Sequence, residues 1–143
     1  MKIVDFLLSR NSTVKEANIS IGLLVLRVGI GLMMALGHGW GKLSNFGAMS
    51  TKFADPIGLG VGLSLTLAVF AEFFCSLAVV LGLATRAAVI PLMITMAVAV
   101  FVVHGDDPWG KQELGMMYLV PFITLLLTGP GKYSLDWKLF ARK

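Results

Sequence analysis

Apolar residues run in long blocks along this chain, and few polar positions interrupt them. The blocks cover residues 19–40, 59–83, 87–103 and 114–128. A bilayer core needs about 20 apolar residues in a helix, with a lower limit near 17. The first two blocks meet that requirement and the third sits at its edge. The fourth is short unless its helix extends back through Trp109. Only Arg27 interrupts the interior of the first block and only Glu72 that of the second, while the last two carry no charge. Pro91 and Pro121 fall inside the third and fourth; a proline kinks a membrane helix without abolishing it, because neighbouring groups take up the freed carbonyl. The pattern predicts an all-α membrane protein. It would be an antiparallel bundle of four transmembrane helices, forming a single integral membrane domain over residues 1–143.

Both ends read as short interfacial segments. In residues 1–18, Ile3, Val4, Leu7 and Leu8 recur at helical spacing with Lys2, Asp5 and Arg10 between them, the pattern of a helix lying on the membrane. The apolar stretch is short and no small-x-small site follows it, which argues against a cleaved signal peptide. In residues 133–143, Ser134 is placed to cap a short helix that carries Trp137, Leu139 and Phe140 to the headgroup level.

Composition removes the main competitors. Hydrophobic residues make up 57% and charged residues 14% of the chain, and the mean hydropathy is +0.84. A soluble domain carries roughly a quarter charged residues, so a small soluble enzyme, a disordered chain and a nucleic-acid binder are excluded. The bilayer is the expected partner.

The basic residues set the expected orientation. Lys2, Arg10, Lys15, Arg86, Lys132, Lys138, Arg142 and Lys143 fall on the side of the termini and of the turn Ala84-Thr85-Arg86; Lys42, Lys52 and Lys111 fall on the other. By the positive-inside rule both termini are cytoplasmic, and the expected location is the bacterial inner membrane. The turn is short enough to force an antiparallel helical hairpin.

The intramembrane charges are the first candidates for chemistry. Arg27 and Glu72 lie at similar depths when counted from the cytoplasmic side, and an isolated charge at mid-membrane costs on the order of 2.5–3.5 kcal/mol on insertion scales. Pairing the two lowers that cost. Such a pair either fixes helix register or holds a ligand, and the sequence leaves both open.

His38 lies eleven residues after Arg27, close to three turns, so both leave the same face of the first span. His104 ends the third span and Glu113 opens the fourth, at the level of His38. The outer half of the bundle therefore gathers His38, Lys42, Glu72, His104, Asp106, Asp107 and Glu113, with Arg27 as its floor. The acid at Glu113 also has a plain explanation in the dipole of the helix it opens. Of these residues, Arg27, His38, Lys42, Glu72, His104 and Glu113 form a ligand-binding set for a quinone headgroup or a small anion. The spacing matches no dedicated metal motif, so no metal is expected, and no catalytic residue is assigned. The single cysteine, Cys75, sits three residues from Glu72 in an apolar helix and reads as packing. There is no CxxC pair, and no haem or flavin motif.

Several short pieces in order carry a family resemblance. They are Leu26-Arg27, His38-Gly39, Lys42, Glu72, Leu81-Gly82-Leu83-Ala84-Thr85-Arg86, His104, and the closing Gly129-Pro130-Gly131-Lys132-Tyr133-Ser134-Leu135-Asp136. Over roughly Leu23 to Asp136 the sequence resembles the DoxX family of small bacterial membrane proteins. The resemblance implies a four-helix inner-membrane bundle. It also implies a link to redox chemistry, since some relatives are subunits of a thiosulfate:quinone oxidoreductase and others accompany complexes for thiol and superoxide defence. The leading expectation is a subunit of a redox-linked system that binds a quinone or a small anionic sulfur compound in a polar pocket of the bundle, with quinone as a diffusible cofactor and a membrane or peripheral redox partner. Two alternatives stand beside it. One is a small-molecule transporter or exporter, for which four short helices would need a homo-oligomer. The other is a non-catalytic assembly factor that docks a partner through its tail.

Overall fold

The computed structural model describes residues 15–140 and is helical throughout, with no strand among the described residues. Helix α1 is Glu16–Ser44, and a short helix α2, Phe46–Met49, follows it. Helix α3 is Val61–Leu81, α4 is Thr85–Val103, α5 is Trp109–Thr128 and α6 is Leu135–Phe140. Three of these, α1, α3 and α4, are long and apolar enough to cross a membrane. Helix α5 does extend back to Trp109 and has 20 residues, but Lys111, Gln112 and Glu113 make its first turn polar. Residues 16–18, read from sequence as interfacial, begin α1 instead. The rest of that expected segment, residues 1–14, lies outside the described residues, as do Arg142 and Lys143.

The buried interior is apolar. Met34, Val79, Val89, Leu92, Phe122 and Leu125 are fully enclosed, and they come from α1, α3, α4 and α5. The outward residues are also apolar: Leu36 is 63%, Phe101 65% and Leu127 74% exposed. In water that surface would drive aggregation; in a bilayer it is the side that meets lipid. Helix α5 packs along α4, and α1 packs along both α3 and α5. Lys132 reaches Glu16 at 2.7 Å, so the start of α1 and the tail lie at one end, hereafter the tail end.

Three stretches depart from α-helical winding: Ala35–Gly39 in α1, Phe70–Cys75 in α3 and Ala99–Val103 in α4 are π-helical. The last closes with His104 N–H donating to Ala99 five residues back, at 3.0 Å. Such wide turns are uncommon and concentrate at functional sites. The first two pack directly on each other.

The tail end is tied by local chemistry. Helix α3 stops at Gly82, whose φ of +68° is left-handed. Gly82 N–H donates to Val79 at 3.0 Å and Leu83 N–H to Ala78 at 2.9 Å, the double closure of a Schellman turn. Asp136 then binds the next helix start: its carboxylate accepts from Ala84 N–H at 2.6 Å and Thr85 N–H at 2.9 Å, while its own N–H donates to Gly82 at 2.8 Å. Ser134 caps α6 as expected, accepting from Trp137 N–H at 3.1 Å. Trp137, Leu139 and Phe140 are all exposed.

Candidate functional site

Arg27 belongs to this tail-end knot and not to a pair with Glu72, which corrects the expectation from depth. The residue as a whole is 2% exposed. It donates to the carbonyls of Val79 (3.2 Å), Val80 and Tyr133. The Val80 carbonyl is one that the Schellman turn leaves open, and in a low-dielectric interior an open carbonyl is costly. The reason for the mismatch is directional. Side chains lean toward the N-terminus of their own helix, so on antiparallel α1 and α3 Arg27 leans to the tail end and Glu72 leans away from it.

Glu72 instead meets Lys42, with Nζ to Oε2 at 2.5 Å. Here the same leaning brings the two together, because Lys42 stands near the far end of α1. The side chains are 19% and 6% exposed. Backbone proximity makes the contact possible: a Cβ at Gly39 would lie 2.6 Å from the Glu72 carbonyl oxygen, so only glycine lets the two π-helical turns touch.

This ion pair forms one wall of a cavity of about 240 Å³. His38, His104, Lys111 and Tyr118 complete its polar lining, and Met34 and Met96 contribute to its apolar part. His38 meets the Tyr118 ring edge-on, with centroids 5.4 Å apart. His104 is held through Nδ1 by Asp107 at 2.8 Å, and Asp107 also accepts from Lys111 at 3.3 Å. Hydrogen bonding from His104, with a lesser contribution from Lys111, holds the Asp107 carboxyl below the ordinary carboxylate value. Gln112 fixes the connecting loop by donating to the carbonyls of His104, Gly105 and Asp107.

Of the six residues expected to form a site, His38, Lys42, Glu72 and His104 line this cavity. Arg27 and Glu113 do not. Glu113 is exposed on the first turn of α5, because that helix starts four residues earlier and carries the side chain outward. Sequence reading missed Tyr118 and Lys111. Tyr118 had a signal, as the one tyrosine inside an apolar span. Among the described residues no three His, Cys, Asp or Glu side chains come together as a metal would require.

A larger hollow of about 630 Å³ opens beneath α6 at the tail end. Its polar groups already serve each other: Asp136 the amides of Ala84 and Thr85, Lys132 the carboxylate of Glu16, Arg86 the Leu127 carbonyl. The smaller cavity, with its concentration of side chains able to bind and move protons, is the stronger candidate.

Both groups of residues bear on relatedness. Residues 22–105 match the DoxX family, a stretch that runs from before Arg27 through His104. The chain is 28% identical to the inner membrane protein YqjF of Escherichia coli over 120 residues, covering 81% of this chain and 90% of that protein. It is 32% identical over 140 residues to the uncharacterized membrane protein Rv3486 of Mycobacterium tuberculosis, covering 85% and 78% of the two chains. No solved structure matches it. The helices that can cross a membrane, the extent of the family match and the two membrane-protein relatives together place this chain in the DoxX family of membrane proteins.

Proposed function

We propose that the protein is a small inner-membrane subunit of a redox-linked system and that the cavity beside the Lys42–Glu72 pair binds a quinone headgroup. In this reading α5 completes a four-span bundle, with both termini cytoplasmic. The basic residues around the tail end support that orientation, and a relative carrying the name inner membrane protein supports the location.

The observation that carries the reading is the convergence of two histidines, a tyrosine and a partly buried Lys–Glu pair on one small cavity walled by apolar helices. Quinone carbonyls need donors, and His38, Lys42 and Tyr118 are donors on this wall. The methionines Met34 and Met96 offer an apolar, polarizable surface to a ring. A quinone supplies a carrier of two electrons and two protons. The chain's own part is to orient it and to hold protons at His38, His104 and Glu72, with Asp107 fixing the His104 ring. A small anionic sulfur compound fits less well, because the Lys42 charge is already taken up by Glu72.

The test is to extract the protein gently, identify bound quinone by mass spectrometry, and titrate a short-chain quinone into the purified protein. Wild-type protein should carry or bind quinone, and His38→Ala and Tyr118→Phe should each weaken binding about tenfold, the loss of one good hydrogen bond in a desolvated site. Absence of both endogenous and added quinone from correctly folded wild-type protein would defeat the proposal.

A further inference from the structure

Lys42 and Glu72 have a second neighbour on their other side. A separate hollow of about 300 Å³ is also lined by Lys42 and Glu72, and Ala99 borders both spaces. The ion pair is therefore a partition, with histidines and Tyr118 on one side and hydrocarbon on the other. The second wall comes from Phe53, Ile57, Leu67, Ile94, Val98 and Val103. Its two hydroxyls are already satisfied, Ser64 by Asp55 at 2.8 Å and Thr95 by the Pro91 carbonyl at 2.9 Å. A ligand carbonyl would find no free side-chain donor there except at the Lys42–Glu72 end.

Two further features show what this space suits. Ile57, Leu67, Ile94 and Val103 are all substantially exposed, so it opens sideways through the surface that meets lipid. The loop above it is fastened by Asp55, which accepts from the amides of Leu59 and Gly60, both at 2.9 Å, as well as from Ser64. Alone, the polar cavity is smaller than the usual small-molecule site of about 300–1,000 Å³; joined, the two fall within that range.

We infer that the two cavities form one amphipathic site in which the apolar hollow takes the hydrocarbon tail of the ligand, entering from the lipid, while the Lys42–Glu72 pair marks the junction of head and tail. This rests on the quinone reading above and adds the class of ligand: an isoprenoid or alkyl quinone rather than a water-soluble one.

The experiment compares a tailless benzoquinone with the same headgroup bearing one and two isoprene units, titrated into the full chain in nanodiscs. Binding to protein-free nanodiscs is subtracted to remove partition into lipid. Affinity, referred to the ligand's concentration in the lipid, should rise about fivefold over the two isoprene units, because a tail arriving from lipid gains close packing and not removal from water. Leu67→Trp, which fills the hollow from its exposed rim, should reduce the rise to under about twofold while leaving the tailless compound unchanged. Val98→Phe is a second variant with the same expectation, should the first fail to fold. Equal tail dependence in wild type and in the folded variants, or none in either, overturns the inference while the headgroup site stands. Failure of every compound to bind overturns both.

Discussion

The guanidinium of Arg27 donates to the main-chain carbonyl of Tyr133, 106 positions further along the chain. One side chain thus joins the first helix, the end of α3 and the tail. Glu72 is not among its partners. Arg27→Gln should cost at least about 3 kcal/mol, since charge-assisted bonds are worth roughly 1.5–3 kcal/mol each. Arg27→Lys should rescue little, because an ammonium cannot fork between two elements. Combining Arg27→Gln with Glu72→Gln should give additive losses, as expected for separated sites. Thermal unfolding of the four proteins in detergent measures this, and a coupling above about 1 kcal/mol would contradict the geometry.

Lys42 and Glu72 should behave in the opposite way. Removing one partner of a buried pair typically costs about 3–5 kcal/mol, and removing both can be near neutral. Lys42→Met/Glu72→Gln should therefore be more stable than the sum of its single variants predicts. If quinone binding needs the charges, the double variant will fold and still not bind.

Gly39→Ala would push a methyl group against the Glu72 carbonyl. Overpacking of this kind costs about 1–3 kcal/mol, and it should separate the two π-helical turns. Gly37→Ala is the control, since a Cβ there meets nothing within 4 Å; it should be neutral or stabilising by up to about 1 kcal/mol through helix propensity. Unfolding midpoints that moved equally for the two would mean the close approach is not what Gly39 provides.

Asp55 gives a pH dependence. Hydrogen bonding from Ser64, then from the Gly60 amide, depresses its carboxyl below the ordinary value of 3.8. A depressed folded-state value means the contribution is complete above the unfolded value and is lost as pH falls through the folded one. The loop over the apolar hollow should hold at neutral pH and loosen only in acid below that ordinary value. Protection of the Leu59 and Gly60 amides against hydrogen exchange, corrected for intrinsic rates, should fall there in wild type. In Asp55→Asn it should be low at every pH.

Much of the architecture was readable because a bilayer demands long apolar runs. The blocks found at 59–83 and 87–103 became helices Val61–Leu81 and Thr85–Val103. Spacing also placed His38, Lys42, Glu72 and His104 at one level. The opposite lean of side chains on antiparallel helices was available from sequence and went unused; what sequence could not supply was the close approach at Gly39 that lets Glu72 meet Lys42. It also gave no sign of the π-helical turns, which depend on packing between helices and leave no periodic trace. Arg27 was misassigned because an opposite charge was sought for it, whereas its acceptors are backbone carbonyls at a helix end.

The Tyr133 contact has a consequence for how the chain is made. A ribosome delivers Arg27 to the membrane long before its last acceptor exists. Val79 and Val80 arrive with α3, and Tyr133 only with the tail. Until then one of the guanidinium's three carbonyl acceptors is missing. Synthesis of the tail thus acts as the closing step of assembly, and a chain stopped before Tyr133 would be inserted but left unlatched.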